Sequence, residues 1–152
     1  MKGLLIAPRY NKPHRVDATS VFQPGARRFK LAHQLWRQSH QPAHVLNTGD
    51  PVLYDNHASP GVRRAAVLDA IRSASGPLDV IAIFDHGEST GLPQAHIRIL
   101  QIPQLITAVR ANSTTGGTSL IILLYACSAG AFGGFASHLA SELGCTVYGH
   151  TT

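Results

Sequence analysis

Residues 78–88 read Leu78-Asp79-Val80-Ile81-Ala82-Ile83-Phe84-Asp85-His86-Gly87-Glu88, an apolar run broken only by Asp79 and closed by polar residues and a glycine. The run lacks period-two alternation, so both its faces are expected to be buried, as inside a parallel sheet. A second run, Leu120-Ile121-Ile122-Leu123-Leu124-Tyr125-Ala126, is the most hydrophobic segment and predicts a central strand. It closes on Cys127-Ser128-Ala129-Gly130. One helical crossover, Pro103 to Ala111, lies between the two runs, so they are expected to be parallel neighbours.

Outward from this pair, apolar runs alternate with helical patterns. Gly3 to Pro8 reads as a first strand stopped by Pro8. Arg9 to Gly25 is a long polar connection. Ala26 to Gln38 reads as a helix, with Phe29, Ala32, Leu35 and Trp36 on one face. Ala43 to Asn47 reads as a short strand and Asp50 to Ser59 as a loop. Ser59-Pro60 predicts the start of a helix ending near Ser73. Gly87 to Gln101 reads as a loop, with His96 to Leu100 a candidate extended piece. Gly133 to Leu143 is a helix ended by Gly144, and Cys145 to Gly149 a last strand. The sum is an α/β chain: a three-layer α/β/α sandwich with a mainly parallel sheet of about five strands.

The 152 residues suit one domain, able to bury roughly 70 % of its unfolded surface. Charged residues make up 14 %, well below the usual ~25 %. Few side chains are therefore spare for a solvated surface. Two cysteines, Cys127 and Cys145, exclude a disulfide scaffold and a four-cysteine zinc site. No apolar run approaches the ~20 residues that cross a bilayer, and Leu4 to Ala7 is too short for a signal-peptide core. A cytoplasmic protein with reduced thiols and no membrane contact is the expectation.

The net charge of +5 is unevenly spread. Residues 1–75 carry eleven Lys/Arg against four Asp/Glu, a net of +7, and residues 76–152 carry two against four, a net of −2. Arg27, Arg28, Lys30 and Arg37 read as the solvated side of a helix. No aromatic residues interleave with them to stack bases, which argues against nucleic acid. His33, His40 and His44 are close in sequence, but no carboxylate joins them at ligand spacing, so neither a metal nor a cofactor is expected.

Open parallel sheets carry functional groups just past the carboxyl ends of their strands. His86 and Cys127 each leave a strongly hydrophobic strand at the same edge. Alone, each has a bland reading: a buried small hydrophobe for the cysteine, a turn for His-Gly. Together they suit a cysteine hydrolase, with Cys127 as thiolate nucleophile and His86 as proton donor to the leaving amine. The N–H groups of Gly87 and Cys127 would hold the oxyanion.

An apolar strand ending in His86-Gly87, a spacer, then an apolar strand ending in Ala126-Cys127 resembles the caspase-like cysteine peptidases, a group with caspase, metacaspase, CHAT and legumain-type members. Also similar are Gly91 shortly after His86-Gly87-Glu88, Leu105-Ile106 on a helix, and Gly25-Ala26 opening the first helix after a polar loop. Ala126-Cys127-Ser128-Ala129-Gly130 is closer to the Ala-Cys-x-x-Gly of CHAT and legumain-like members than to the animal caspases. The resemblance implies a caspase-like core and an endopeptidase that acts on a peptide or protein substrate through a Cys127/His86 dyad. It also implies that the loop after the first strand lines the pocket for the residue before the scissile bond. Arg9 and Arg15 would then be substrate-binding, and a cationic wall would favour an acidic residue there.

The sequence departs from the family in two ways. Tyr125-Ala126 precede Cys127, where metacaspases carry an acidic residue. Only 25 residues follow Cys127, where members usually continue with further strands. A minimal member, the N-terminal part of a longer protein with a missing C-terminal segment, and an inactive relative are the three expectations this leaves, and a homo-oligomer is a further expected partner. Two other readings stand beside the peptidase: a non-catalytic caspase-like module that binds a partner, and a flavodoxin-like domain that binds nucleotide or nucleic acid.

Overall fold

A computed structural model describes residues 1–10, 22–37, 46–113 and 115–152, with side chains in the first helix followed to residue 32. Its elements are β1 (Lys2–Pro8), α1 (Phe22–Arg37), β2 (Asn47–Thr48), β3 (Val52–Tyr54), α2 (Pro60–Ser73), β4 (Val80–Phe84), β5 (Gly91–Leu92), β6 (Ile97–Arg98), α3 (Ile102–Ala111), β7 (Ile121–Tyr125), α4 (Phe135–Leu143) and β8 (Thr146–Gly149). A single 3-10 turn, Ile99–Gln101, leads into α3.

The main sheet is parallel throughout. β2 pairs with Lys2 and Gly3, and β3 pairs with Ile6 to Pro8, so two short strands share one edge of β1. The order continues β1–β4–β7–β8. With the shared edge taken as one strand, this is the 2-1-3-4-5 order of a doubly wound sheet. The expected neighbours are present: Val80 to Phe84 register with Ile121 to Tyr125.

Right-handed crossovers decide which face each helix covers. The first connection leaves β1 toward its outer edge, and the other three run the opposite way. Accordingly, among the described residues, α1 packs on one face, where Ala26, Phe22 and Phe29 meet Leu5, Ala7, Ala82 and Phe84. On the other face α2, α3 and α4 bury Val67, Ile71, Leu105, Val109, Phe135 and Leu139 against Leu4, Ile6, Ile81, Ile83, Ile122 and Leu124. β4 is buried along its whole length, as its unbroken apolar run predicts.

β7 differs from the expectation. Ile122 and Leu124 are buried, but Ile121 and Leu123 are half-buried and Tyr125 is 37 % exposed. Among the described residues α1 lies mainly over β1 and β4 and reaches β7 through Phe29 against Tyr125, so this face of β7 and β8 is only partly covered.

Three boundaries also moved. α1 starts at Phe22, inside the stretch read as loop, because Pro24 and Gly25 fall in a first turn whose N–H groups need no helical partner. β3 lies inside the predicted Asp50–Ser59 loop and exists through its pairing with β1. The loop after β4 contains the small antiparallel hairpin β5–β6. Of the predicted Ala43–Asn47 strand, residues 43–45 lie outside the described residues, and β2 begins at Asn47. α2 starts at Pro60 as predicted, although Ser59 makes no side-chain cap bond.

Candidate active site

The ladder between β4 and β7 fixes the position of the two candidate side chains. Phe84 and Tyr125 are the last registered pair, and the Asp85 N–H donates to Tyr125 O at 3.2 Å. His86 and Cys127 therefore sit two residues past the same pair, on neighbouring strands that lie about 4.8 Å apart. Gly87 brings the chains closer still. A Cβ on Gly87 would fall 2.6 Å from the Cys127 nitrogen and the Ala126 carbonyl carbon, and nearer again to Cys127 O. Only a residue without a side chain allows this approach. Cys127 is exposed and His86 half-buried.

Alternation along β4 sends Phe84 and His86 to the α1 side and Asp85 to the other. The His86 ring meets Phe22 edge-on, with centroids 5.0 Å apart. Beneath it Phe84 stacks flat on Tyr125 at 4.5 Å, and Phe29 closes on both rings. Phe22 and Phe29 of α1, with Phe84 and Tyr125 of the strands, thus form an aromatic floor beside the candidate dyad.

After Cys127 the chain reverses at Ser128, a non-glycine residue at φ 56°. That conformation costs on the order of 1 kcal/mol and persists only where the surroundings enforce it. Ala131 N–H donates to Ser128 O at 3.0 Å, and the Phe135 N–H that opens α4 donates to Ser89 O at 2.7 Å. The loop after His86 and the loop after Cys127 are therefore joined through the start of α4.

On the opposite side of His86 lies a polar network that sequence reasoning missed. Asp85 is buried and accepts from Tyr54 Oη at 3.1 Å, Gln94 N at 3.1 Å and Ala95 N at 2.9 Å. Buried Asn56 donates to Gln94 Oε1 at 3.3 Å and to Tyr10 O at 2.7 Å. The available signal was an aspartate at the end of a fully apolar strand, since a buried carboxylate demands partners.

Burial pushes the Asp85 carboxyl up to about 7, opposed by hydrogen bonds from Ala95, Gln94, Tyr54 and the His86 backbone. Between its ordinary value of 3.8 and about 7, the folded chain binds a proton that the unfolded chain does not. The contribution of Asp85 to stability is thus largest at low pH and falls as pH rises through that window, by up to about 4 kcal/mol. The groups around it are Tyr54 on β3, whose hydroxyl burial pushes well up, Arg63 on α2 acting on Tyr54, and His86 itself. Thermal melts from pH 4.5 to 8 should show the wild-type midpoint dropping relative to Asp85→Asn. Parallel curves for the two proteins would exclude this linkage.

Arg9 is exposed, and its guanidinium reaches Leu53 O at 3.5 Å, on the β3 side of β1 and away from β4. Arg15 lies outside the described residues, as do Lys12, His14 and Asp17. Cys145 is half-buried, and burial pushes its thiol up. Among the described residues no group of three or more His, Cys, Asp or Glu could hold a metal ion, and no helix is long and apolar enough to cross a membrane.

Residues 53–152 match the family model described as a domain of unknown function, DUF8616. The chain belongs to this family. The DUF8616 span includes Tyr54, Asp85, His86, Gly87 and Cys127, whereas β1, α1 and β2 precede it. No curated protein and no solved structure matches the chain.

Proposed function

We propose that this DUF8616 protein is a caspase-like cysteine endopeptidase that hydrolyses peptide bonds through Cys127 and His86. The observation that carries the reading is the approach of Gly87 to the Ala126–Cys127 peptide at the in-register ends of β4 and β7. That approach brings the backbone after His86 against the peptide that carries the exposed Cys127, at the carboxyl edge of a doubly wound sheet, where such folds carry their chemistry.

The reaction begins with the Cys127 thiolate attacking the scissile carbonyl carbon. The carbonyl π pair moves onto oxygen, and the N–H groups of Gly87 and Cys127 stabilise the oxyanion. Collapse expels the amine, which takes its proton from the His86 imidazolium, and leaves a thioester on Cys127. Water, deprotonated by the now neutral His86, attacks the thioester and releases the acid and the thiolate. No other group is required.

A peptide carrying an acyloxymethyl ketone tests this. Mass spectrometry of the labelled protein should place the adduct on Cys127 and leave Cys145 unmodified, since the half-buried Cys145 thiol is pushed up and is less often thiolate. Equal labelling of both cysteines, or none, would remove the peptidase reading.

The face of β7 and β8 that the described residues leave partly open favours the second reading, a non-catalytic partner-binding module. There Tyr148 is 60 % exposed, beside Leu123, Tyr125 and His150. Undiminished partner binding by Cys127→Ala, with no turnover by the wild type, would support it. The nucleotide-binding reading shares the 2-1-3-4-5 strand order, but two glycines that follow β7, where such a domain would turn around a phosphate, pack against other backbone. A Cβ on Gly130 would fall 3.0 Å from His150 O, and one on Gly134 2.8 Å from Ser89 O. These two glycines therefore serve chain-to-chain packing.

A further inference from the structure

The turn that carries His86 is held from two sides. On the α4 side, Ser89 O takes the Phe135 N–H, and Glu88 and Gly91 exchange backbone hydrogen bonds at 3.0 and 3.1 Å. On the other side the Asp85 carboxylate gathers donors from two separate elements: the Tyr54 hydroxyl of β3 and the backbone N–H groups of Gln94 and Ala95 in the β5–β6 turn. With its side chain so fixed, Asp85 fixes the peptide that leaves β4, and with it the direction of the His86 Cα–Cβ bond.

We infer that Asp85 is a positioning residue, whose carboxylate, clamped by Tyr54, Gln94 and Ala95, holds His86 in place against Cys127. The inference rests on the Cys127/His86 reading and deepens it.

Three observations separate this role from a plain loop staple. The position lies at the inner face of a fully apolar strand, where an aliphatic residue would pack without a desolvation penalty. The adjoining Gln94 is wholly buried, yet its Nε2 has no hydrogen-bond partner, so the network is not arranged for the greatest stability. Perturbed, incompletely satisfied polar groups of this kind gather at functional sites. Burial also pushes the Asp85 carboxyl up, so the clamp changes charge near neutrality.

The test is the pH dependence of Cys127 alkylation by iodoacetamide in a Cys145→Ser background, where Cys127 is the one remaining cysteine. The thiolate displaces iodide to form the S–CH2 bond, so the rate follows the thiolate fraction. His86→Ala should slow alkylation at pH 7 about tenfold, equivalent to a one-unit rise in the apparent midpoint. Asp85→Asn should slow it in the same direction by about three- to tenfold, and Tyr54→Phe, which deletes a single donor, by about twofold. Asn112→Ala serves as the structural control. It removes bonds to Ile71 O and Ala74 O, both 2.8 Å, at the far end of α2, and should lower the melting temperature without moving the profile.

A profile that moves with His86→Ala but not with Asp85→Asn overturns the positioning role and leaves the dyad standing. A profile unmoved by His86→Ala overturns the dyad and the positioning role together. Should Asp85→Asn fail to fold, Tyr54→Phe decides: an unshifted profile then overturns the inference.

Discussion

Cys127→Ala is expected to abolish peptide hydrolysis, by about 10⁴-fold or more, while leaving the thermal midpoint within a few degrees of wild type. On the proposed peptidase reading the loss is that large because the thiolate would make and break the covalent bond, and the oxyanion donors and binding groups left behind would supply only residual catalysis. The fold survives because Cys127 is exposed beyond the end of β7 and contributes no buried side chain to either core cluster. Substitutions at such positions change stability by roughly ±0.5 kcal/mol. Turnover of a fluorogenic peptide together with a melting curve checks both halves. His86→Ala should lose nearly as much turnover, and Cys145→Ser should keep it. Undiminished turnover in Cys127→Ala would place the chemistry elsewhere.

Gly87→Ala carries the largest structural penalty. Its new methyl group would meet the Ala126–Cys127 peptide, with backbone carbon and nitrogen at 2.6 Å. Backbone atoms cannot rotate aside as the tip of a long side chain can. The loop after β4 must therefore lift away from β7, which breaks the Asp85 N–H to Tyr125 O bond and disturbs the Phe135 N–H to Ser89 O bond. The expected cost is about 3 kcal/mol, or roughly 6–12 °C in melting temperature for a domain of this size. Turnover and Cys127 alkylation should fall with it. Gly61→Ala is the matched control, since a Cβ there meets nothing within 4 Å and lies in the exposed first turn of α2. It should be neutral or slightly stabilising. Equal melting temperatures for the two variants would show that Gly87 is not closely packed.

The pairing of β4 with β7 was legible because both strands are continuous apolar runs with one helix between them. Burial and right-handed crossover then leave few places for two such strands. The end of α4 was legible for a local reason: Gly144 takes φ 70°, a conformation glycine adopts without strain, and its N–H closes on Ala140 O. The pair His86-Gly87 and Cys127 stood out for the same reason as the strands, because each follows a run whose end is marked by a change from apolar to polar residues.

Tertiary structure decided what depends on partners distant in sequence. Val52-Leu53-Tyr54 carries too short a pattern to announce a strand, and becomes one because Ile6 to Pro8 present unpaired backbone groups beside it. The direction of the Arg9 guanidinium follows from the same edge, and takes that residue toward Leu53 rather than toward β4. The partial exposure of this face of β7 and β8 among the described residues follows from the placement of α1 mainly over β1 and β4, which no periodicity within β7 encodes. The Asp85 network joins residues 31, 9 and 10 positions apart, so its donors cannot be paired from local spacing. Sequence by itself determined the α/β class and the pairing of the apolar strands, and singled out His86 and Cys127 as candidates, because burial and local conformation are properties of short stretches. The clamp on Asp85, the contact of Gly87 with the Cys127 peptide and the partly exposed sheet face arise only when separate stretches meet, and tertiary packing alone decided them.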